Sequence, residues 1–364
     1  MTSQQSAISS TPGLSNAGGK EFQEHHGRRI PALYSDLATE YVAAKEDVAV
    51  HDSSYVGRLK ATGPDALDLL NRMSTNQVLS LEPGQGAPTI LTTDRGRILD
   101  LIGVVNFGEY VLLLTSPGEQ QRVIDWLDKY TIMEDMTVTD LTPETTMLTV
   151  LGPNSTARLG QLVNEELADL PPYHTRSVVL AGESLSVINR PLAEIPAFEL
   201  LLSPDSAPAV WSALVDAKIT PIGLRAYQAL RVERAIPSHG REMGDTYNPL
   251  EAGLIGSIDF TKGCYIGQEV IARLDTYRKV QKHLVVLHFP EDAQVSEGDS
   301  LEYEGQNIGT VTSIACIPTS GQLIGLGYVR TARASVGTRL NLAAPASGEA
   351  EIAQLPLLFG PGEG

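Results

Sequence analysis

The chain has 364 residues, of which 42% are hydrophobic and 20% charged, and its formal net charge is −17. A chain of this length exceeds the size at which one hydrophobic core usually splits, so we expect two or three domains. The composition is typical of a globular protein and excludes a fibrous or wholly disordered chain. The negative charge disfavours direct binding to a nucleic acid, because the sequence shows no run of basic residues that would form a local patch.

Three features bear on the cellular compartment. Residues 1–20 are rich in Ser, Thr, Gln and Gly and lack the basic start and apolar stretch of a secretory signal, so we predict a disordered leader. No apolar stretch is long enough for a membrane span. Cys264 and Cys316 match no metal-ligand spacing, which favours a reducing cytoplasm.

The pair His25-His26 supplies too few ligands for a metal ion, and no metal site is expected.

The first half of the chain predicts a helix-to-strand unit followed by hairpins. Gly63-Pro64-Asp65 precedes a helical pattern, since proline suits a first helical turn. Turn residues separate the strand-like segments that follow and predict antiparallel pairing. We expect Ser116-Pro117 to cap the next helix. The predicted elements are helices over 34–48 and 66–73, strands over 55–61, 89–92, 97–106 and 110–115, and a helix that contains Val123 to Leu127.

A second, looser copy of this pattern follows. Gly152-Pro153-Asn154 stands at the point that matches Gly63-Pro64-Asp65, which indicates a duplicated α+β unit. After residue 280, short β runs separated by Gly turns predict a small antiparallel barrel or sandwich. The predicted elements are strands over 147–151, 185–189 and 198–202, helices over 207–218 and 223–234, a long loop over 237–257, and strands over 284–289, 300–303, 307–318, 325–329 and 338–342.

The octapeptide of residues 262–269, with sequence KGCYIGQE, places one of the two cysteines between two glycines. A helix is predicted to begin near Gln268, so Cys264 would lie close to a positive helix end. Lys262 would lower the thiol pKa further if its ammonium folded toward the sulfur. The alternative is that Cys264 is a small buried hydrophobe in a structural turn, as most free cysteines are.

Five further sequence blocks share a pattern with the octapeptide: residues 51–54, 57–59, 62–66, 74–76 and 96–100. The signature residues of the octapeptide are Lys262, Gly263, Cys264, Tyr265, Gly267, Gln268 and Glu269, followed by Arg273. Together these residues resemble the folate-binding family that joins the glycine-cleavage T-protein, an aminomethyltransferase, to the YgfZ-type proteins of iron-sulfur assembly. The octapeptide closely resembles the YgfZ signature, whereas T-proteins have a similar glycine turn without the cysteine, so the resemblance points to the YgfZ branch.

The resemblance implies an α+β fold, specifically a GcvT-like three-domain ring. Two antiparallel-sheet α+β units and a C-terminal antiparallel β-barrel would surround a central opening where tetrahydrofolate, or a one-carbon derivative, binds. The expected boundaries are a leader over 1–20, a first folate-binding unit over 21–145, a second unit with the octapeptide over 146–278, and a barrel over 279–364. The first two units could be interleaved in sequence.

The resemblance also implies the roles of three further residues. Glu199, in Phe198-Glu199-Leu200, would accept a bidentate pair of hydrogen bonds from the amino-pyrimidine ring of the folate. Arg231 falls at a family-like folate-binding position, and Asp100 at or near the family's catalytic and folate-binding aspartate. The chain departs from the T-protein pattern at Tyr227, where an arginine is expected to hold the folate tail.

Two functions follow as hypotheses. The first is a tetrahydrofolate-binding accessory protein that supports iron-sulfur cluster assembly or repair, with iron-sulfur enzymes or assembly factors as partners and Cys264 as the functional thiol. It needs no catalytic turnover. The second is a folate-dependent aminomethyl or methyl transferase that uses Asp100 as a general base or electrostatic stabiliser. A folate-storage module without a role for Cys264 is a third possibility.

Overall fold

The computed structural model describes residues 18–354, and most of the predicted leader lies outside this range. No helix in the described range is long and apolar enough to cross a membrane. The helices are α1 (Leu37–Glu46), α2 (Ala66–Met73), α3 (Gln120–Tyr130), α4 (Ser155–Val163), α5 (Ala207–Asp216), α6 (Leu224–Glu233) and α7 (Gln268–Thr276). The strands are β1 (Glu21–His25), β2 (Arg28–Leu33), β3 (Ala49–Asp52), β4 (Gly57–Thr62), β5 (Gly86–Thr92), β6 (Ile98–Asn106), β7 (Val111–Thr115), β8 (Thr137–Asp140), β9 (Thr146–Leu151), β10 (Thr175–Leu180), β11 (Glu183–Asn189), β12 (Ala197–Leu202), β13 (Thr220–Pro221), β14 (Lys282–Phe289), β15 (Ser300–Tyr303), β16 (Gln306–Cys316), β17 (Leu323–Arg330), β18 (Arg339–Leu342) and β19 (Glu349–Gln354).

The first α+β unit is a five-stranded antiparallel sheet in the order β5-β6-β7-β4-β8. Its hydrophobic core lies between the sheet and helices α2 and α3, which bury Leu69, Leu70, Val123 and Leu127 against it. The strongly amphipathic spacing of these apolar residues explains why both helices pack on one face of the sheet.

The second unit is a six-stranded sheet in the order β10-β11-β12-β9-β3-β13. Strand β3 precedes the whole first unit in the chain, yet it pairs with β9, with His51 opposite Thr149. The two-residue strand β13 pairs with β3 in parallel, so this sheet is antiparallel except at one edge. In sequence, β3 therefore precedes the first unit, and the other strands of the second sheet follow it.

The duplication is visible at two equivalent glycines. Gly63 follows β4 with φ of 109°, and Gly152 follows β9 with φ of 123°. A Cβ atom on Gly63 would lie 2.0 Å from the carbonyl oxygen of Asp135, and one on Gly152 would lie 2.4 Å from that of Asp47. Both positions therefore require glycine, because the backbone is left-handed and another chain segment crosses in direct contact.

The C-terminal strands form a closed barrel in the order β14-β17-β16-β15-β18-β19. Apolar side chains fill its interior, among them Leu287, Phe289 and Leu301. A separate two-stranded hairpin, β1–β2, packs against α6, where the backbone of Gly223 lies directly against Ala32. The buried carboxylate of Glu40 accepts the N–H of Gly223 at 2.7 Å and so fixes the start of α6 to α1.

The predicted α+β class with a C-terminal antiparallel barrel is confirmed. The prediction that Ser116-Pro117 caps a helix is wrong. Helix α3 begins at Gln120 with no side-chain cap, and the N–H of Ser116 instead binds the carboxylate of Asp100. The hairpin β1–β2 and the strands β3, β8, β10, β13 and β19 were not predicted. Strands β3, β8 and β13 have four residues or fewer, too few to show a periodic pattern.

Candidate functional site

A central cavity of about 1080 Å³, counted with its open mouth, lies between the two α+β units. The first unit contributes the end of β7 and the turn that follows it, and the second contributes β9, β12 and the loop between β11 and β12. Helix α6, the loop after it and the tip of the β1–β2 hairpin complete the wall. The polar and aromatic lining side chains are His25, His26, Tyr55, Thr115, Ser116, Thr149, Tyr173, Arg190, Glu199, Tyr227, Gln228, Arg231, Ser238 and His239.

Glu199 is the buried carboxylate of the cavity wall. It lies on β12, where alternation turns Glu199 away from the hydrophobic core that its neighbours Phe198 and Leu200 enter. Its Oε2 accepts hydrogen bonds from the Thr149 hydroxyl at 2.7 Å and the Ser53 hydroxyl at 3.2 Å. Its Oε1 has only a long contact of 3.4 Å to Nη1 of Arg190. One carboxylate oxygen is therefore fixed by the protein, and the other is the more available to a ligand.

Arg190 provides the positive charge beside Glu199. Burial opposes that charge, but Glu199 together with Tyr173 and Tyr227 more than offsets the effect and raises the pKa of Arg190. Burial raises the pKa of Tyr173, which lies against the guanidinium. Sequence reasoning did not identify Arg190, since a single arginine between strands carries no motif.

An aromatic cluster forms the floor of the cavity next to Glu199. The ring of Tyr227 stacks on His51, with centroids 4.6 Å apart and planes at 9°. His51 Nδ1 lies 3.1 Å from the carbonyl oxygen of Ile222 and must donate to it, so Nε2 accepts from the Tyr55 hydroxyl at 2.9 Å. Burial lowers the pKa of His51 and raises that of Tyr227 to about 12. Both side chains are therefore uncharged at neutral pH.

Asp100 is completely buried on β6 and does not line the cavity. Its Oδ2 accepts the N–H of Ser116 at 2.8 Å, whereas Oδ1 has no hydrogen-bond partner. Burial raises its pKa to about 6, partly opposed by Ser116 and His239. Leu101 and Ser116, its neighbours in sequence and space, do line the cavity, so the carboxylate lies one layer behind the wall.

Histidines surround the end of the cavity near Ser116. His239 has Nδ1 3.2 Å from Glu119 and Nε2 3.1 Å from the carbonyl oxygen of Leu99. His25 and His26 reach this region from the hairpin tip, and burial lowers the pKa of His25 to about 4. No cluster of three or more metal-ligating side chains occurs within residues 18–354. His25 is therefore uncharged at neutral pH and can offer a neutral imidazole to a polar ligand.

The octapeptide docks on the outside of the first unit. All three protons of the Lys262 ammonium are directed at backbone carbonyl oxygens, those of Asn71 at 2.7 Å, Ser74 at 2.9 Å and Asn76 at 2.6 Å. These carbonyls lie in the last turn of helix α2 and in the segment just after it, where a cation also complements the helix dipole. Burial lowers the pKa of Lys262 to about 8, although three carbonyl acceptors favour its charged form. The hypothesis that this ammonium folds over the Cys264 sulfur is therefore wrong.

Cys264 is exposed and does not belong to the cavity lining. Tyr265 points inward instead and packs with Met243 and Leu254, which do line the cavity. Burial raises the pKa of Tyr265 to about 12. The octapeptide thus forms an outer layer of the cavity wall, with its thiol facing solvent.

The rest of the octapeptide shapes the turn into α7. Gly267 is the N-cap residue of α7 with φ of 85°, and a Cβ atom there would lie 2.6 Å from the carbonyl oxygen of Thr93. Gly263 is exposed with open space around it. Glu269 and Arg273 lie on the exposed face of α7, 4.0 Å apart, and Gln268 begins the helix, as predicted.

Two family matches cover almost the entire described chain. Residues 14–262 match the GCVT N-terminal domain, and residues 282–358 match the glycine-cleavage T-protein C-terminal barrel domain. The chain belongs to the glycine-cleavage T-protein family.

Relatives within the T-protein family include proteins named as transferases. The chain is 31% identical to a putative chloroplastic transferase of Arabidopsis thaliana, over 85% of this chain and 71% of that protein. It is 30% identical to an aminomethyltransferase of Rippkaea orientalis, over 88% and 89% of the two chains. The crystal structure of aminomethyltransferase T from Bartonella henselae superposes with a TM-score of 0.85 at 22% identity, covering 97% of this chain and 99% of that one. That likeness establishes a shared three-part fold.

Arg231, a further candidate residue, lines the cavity of this T-protein family member but is already heavily bonded. Its Nε donates to Gln228 at 2.7 Å, and its Nη1 donates to the carbonyl oxygen of Ile236 at 2.8 Å and to Glu242 at 3.2 Å. Its Nη2 donates to the Ser313 hydroxyl of the barrel at 2.8 Å. Burial lowers its pKa. Four of its five N–H groups are thus engaged by α6, the loop after it and the barrel, and one is left for a ligand.

The structure brings some of the sequence candidates together and separates others. Glu199 and Arg231 share the cavity, Asp100 lies directly behind its wall, and Cys264 lies outside it. Tyr227, noted in the sequence as a departure, occupies the cavity floor beside Glu199. A ligand here meets one available carboxylate oxygen, the guanidinium groups of Arg190 and Arg231, and several aromatic rings.

Proposed function

We propose that this protein binds tetrahydrofolate, or a one-carbon derivative of it, in the central cavity with its amino-pyrimidine edge on Glu199. The main support is that Oε1 of this buried carboxylate lacks a short hydrogen bond, in a cavity whose wall also offers aromatic rings. An amide-like N–H donor on a buried carboxylate forms a strong, charge-assisted bond. Membership of the T-protein family supports the same ligand.

The chain's own residues accommodate such a ligand with one adjustment. A bidentate pair would use both carboxylate oxygens, so the Ser53 hydroxyl, which makes the longer of the two bonds to Oε2, would turn away. Tyr173 and Tyr227 offer flat faces to a fused ring. The tail of the ligand would meet Tyr227 and the one spare N–H of Arg231 where the T-protein pattern expects a further arginine. Bound tetrahydrofolate would supply one-carbon carrier chemistry.

Titration of tetrahydrofolate by calorimetry tests this site. We expect Glu199→Gln to weaken binding by about 10- to 100-fold, the effect of losing a charged hydrogen-bond acceptor. Glu194→Gln is the matched control, because Glu194 is nearby in sequence but its side chain is 92% exposed. Equal affinity of Glu199→Gln and the unmodified protein would remove Glu199 from the site, and absence of binding to the unmodified protein would refute the proposal itself.

For the role of the bound folate, we propose an accessory function in iron-sulfur cluster assembly or repair, with Cys264 as the functional thiol. This proposal is supported by the resemblance of the octapeptide to the YgfZ signature, by the exposure of Cys264 and by the position of Asp100 behind the wall. A solvent-facing thiol suits exchange with another protein better than chemistry on a ligand inside the cavity.

Cells that lack the protein provide the test. Complementation with Cys264→Ala is expected to leave iron-sulfur enzyme activity low, whereas Cys316→Ala, which changes the second exposed cysteine, is expected to restore it. Restoration by both variants would exclude a role for the Cys264 thiol.

A second candidate is a folate-dependent aminomethyl or methyl transferase that uses Asp100. It is favoured by the names of the relatives, which are transferases, and by the buried Asp100 carboxylate, whose pKa of about 6 suits proton exchange near neutral pH. Asp100 would act through the adjacent Ser116 or after a movement of the wall. Incubation with tetrahydrofolate and an aminomethyl donor, followed by detection of methylene-tetrahydrofolate, distinguishes the two roles. Product formation that is lost in Asp100→Asn would establish the transferase.

A further inference from the structure

A basic patch lies where the second α+β unit meets the barrel. Its residues follow the end of α7, begin β14, and end β17 together with the helical turn after it. All are exposed except Lys282, which is half-buried. We call this set the linker patch: Arg278, Lys279, Lys282, Arg330 and Arg333.

The fold, rather than the sequence, assembles the linker patch. Antiparallel pairing of β14 with β17 sets Lys282 directly opposite Arg330. Thr331 then joins the two segments, donating its N–H to the carbonyl oxygen of Gln281 at 3.0 Å and its hydroxyl to that of Val280 at 2.6 Å. Two basic segments about fifty residues apart in sequence are thereby held side by side.

No ion pair within the described range of residues 18–354 neutralises the linker patch. Fifteen ion pairs of 4.0 Å or less occur there, and none includes a residue of this set. The chain has 44 acidic and 27 basic residues, so carboxylate partners are abundant elsewhere. Like charges directly opposite on paired strands are destabilising. The charges of Lys282 and Arg330, opposite each other on β14 and β17, therefore do not stabilise the strand pair.

Aromatic rings complete this surface. The Lys282 ammonium lies 4.2 Å from the ring centroid of Tyr247 and 5.0 Å from that of Tyr328, contacts that partly compensate its charge. Tyr277, which is 64% exposed, lies beside Lys279, whose ammonium is 5.4 Å from the ring centroid. The surface thus combines unpaired positive charge with an exposed aromatic side chain.

We propose that the linker patch is a docking surface for a short acidic segment of another protein. The patch is complementary in charge to such a segment, and Tyr277 offers it an apolar contact. Screening confines the attraction to within about 8 Å at physiological salt. A nucleic acid would extend past the patch onto a surface of a chain with net charge −17, where its phosphates would be repelled. A short acidic segment would contact only the linker patch and would avoid this repulsion.

Fluorescence anisotropy with a labelled peptide of ten glutamates and a labelled single-stranded oligonucleotide tests the proposal on the full-length protein. The test variant reverses three exposed charges, Arg278→Glu, Lys279→Glu and Arg330→Glu. The control variant makes the same net change at exposed lysines elsewhere, Lys20→Glu, Lys129→Glu and Lys218→Glu. Circular dichroism verifies that both variants are folded, and Arg278→Gln with Arg330→Gln provides a milder pair.

We expect the unmodified protein and the control variant to bind the glutamate peptide, and the test variant to bind it at least about tenfold more weakly, with weaker binding of all at higher salt. Equal losses in the two variants, or no binding by the unmodified protein, would overturn the proposal. Patch-dependent binding that is tighter for the oligonucleotide would assign the surface to nucleic acid instead. Dissociation of a homo-oligomer by the test variant, measured by sedimentation, would assign it to a second copy of this acidic chain.

Discussion

The two α+β units each bury one carboxylate next to the central cavity, but they surround it differently. In the second unit, Glu199 accepts two hydroxyl hydrogen bonds and has Arg190 nearby. In the first unit, Asp100 has a single N–H partner and one oxygen without any. A buried charge remains stable only when its partners replace the lost water. The contrast shows that the second unit is built to present a charge to the cavity, whereas the first unit holds a carboxylate ready to take a proton.

Lys262 offers the strongest test of the rule that partners stabilise a buried charge, because three carbonyl oxygens surround it. Lys262→Met would leave these carbonyls without their donor, and we expect the free energy of unfolding to fall by about 2–4 kcal/mol. Urea denaturation measures the change, with the exposed Lys279→Met as the control. Hydrogen exchange should also become faster at the N–H of Ile266. This group donates to the carbonyl oxygen of Arg72, the neighbour of Asn71, whose carbonyl accepts from Lys262. A loss below about 0.5 kcal/mol would mean that water replaces Lys262 freely.

Asp100→Asn should have a smaller effect of opposite sign. The pKa of Asp100 is raised from 3.8 to about 6, so the folded chain binds a proton more tightly than the unfolded chain does. Its charge therefore destabilises the fold as pH rises through this range, by about 3 kcal/mol once fully ionised. We expect Asp100→Asn to stabilise the protein by up to about 3 kcal/mol at pH 8 and by about half as much at pH 5. Urea denaturation at both pH values gives the comparison, and a gain that does not shrink at pH 5 would contradict the assigned proton.

Arg190→Met should have the smallest effect of the three. Glu199 would lose its cationic neighbour but keep the Ser53 and Thr149 hydroxyls, so we expect a loss of about 1–2 kcal/mol in the free energy of unfolding. Arg176→Met is the matched control, since the side chains of Arg190 and Arg176 are 28% and 30% exposed. Combining Arg190→Met with Glu199→Gln should recover much of the loss, and strict additivity of the two changes would show that the pair is not coupled.

The sequence predicted the elements with strong local patterns. Helices α2 and α6, the hairpin strands β5 to β7 and the paired turns at Gly63 and Gly152 follow from apolar periodicity and glycine chemistry. Strand β3 joins the second sheet through a pairing across about a hundred residues, which no local pattern encodes. The same limit applies to the site. Glu199 was found through its resemblance to a family stretch, while Arg190 and the burial of Asp100 depend on long-range packing.

The direction of the Lys262 side chain shows a second limit of sequence reasoning. Proximity in sequence suggested an ammonium over Cys264, but the carbonyl ends of a helix offer three acceptors at once. An ammonium with three protons gains more hydrogen bonds there than beside one sulfur. The partner of the Lys262 ammonium is determined by how the octapeptide packs against α2, which is a tertiary contact.

The position of strand β3 has a consequence for how the molecule is made. During synthesis, residues 49–52 leave the ribosome long before β9, their partner at residues 146–151, and before β13 at residues 220–221. The first unit can complete its own sheet before either partner of β3 has been synthesised. Until then, the backbone N–H and C=O groups on both edges of β3 have no strand partner. The second sheet closes only when about three fifths of the chain has emerged. A cut between the two units would separate β3 from its sheet, so the halves of this protein cannot be inherited, expressed or evolved as independent modules without moving that strand.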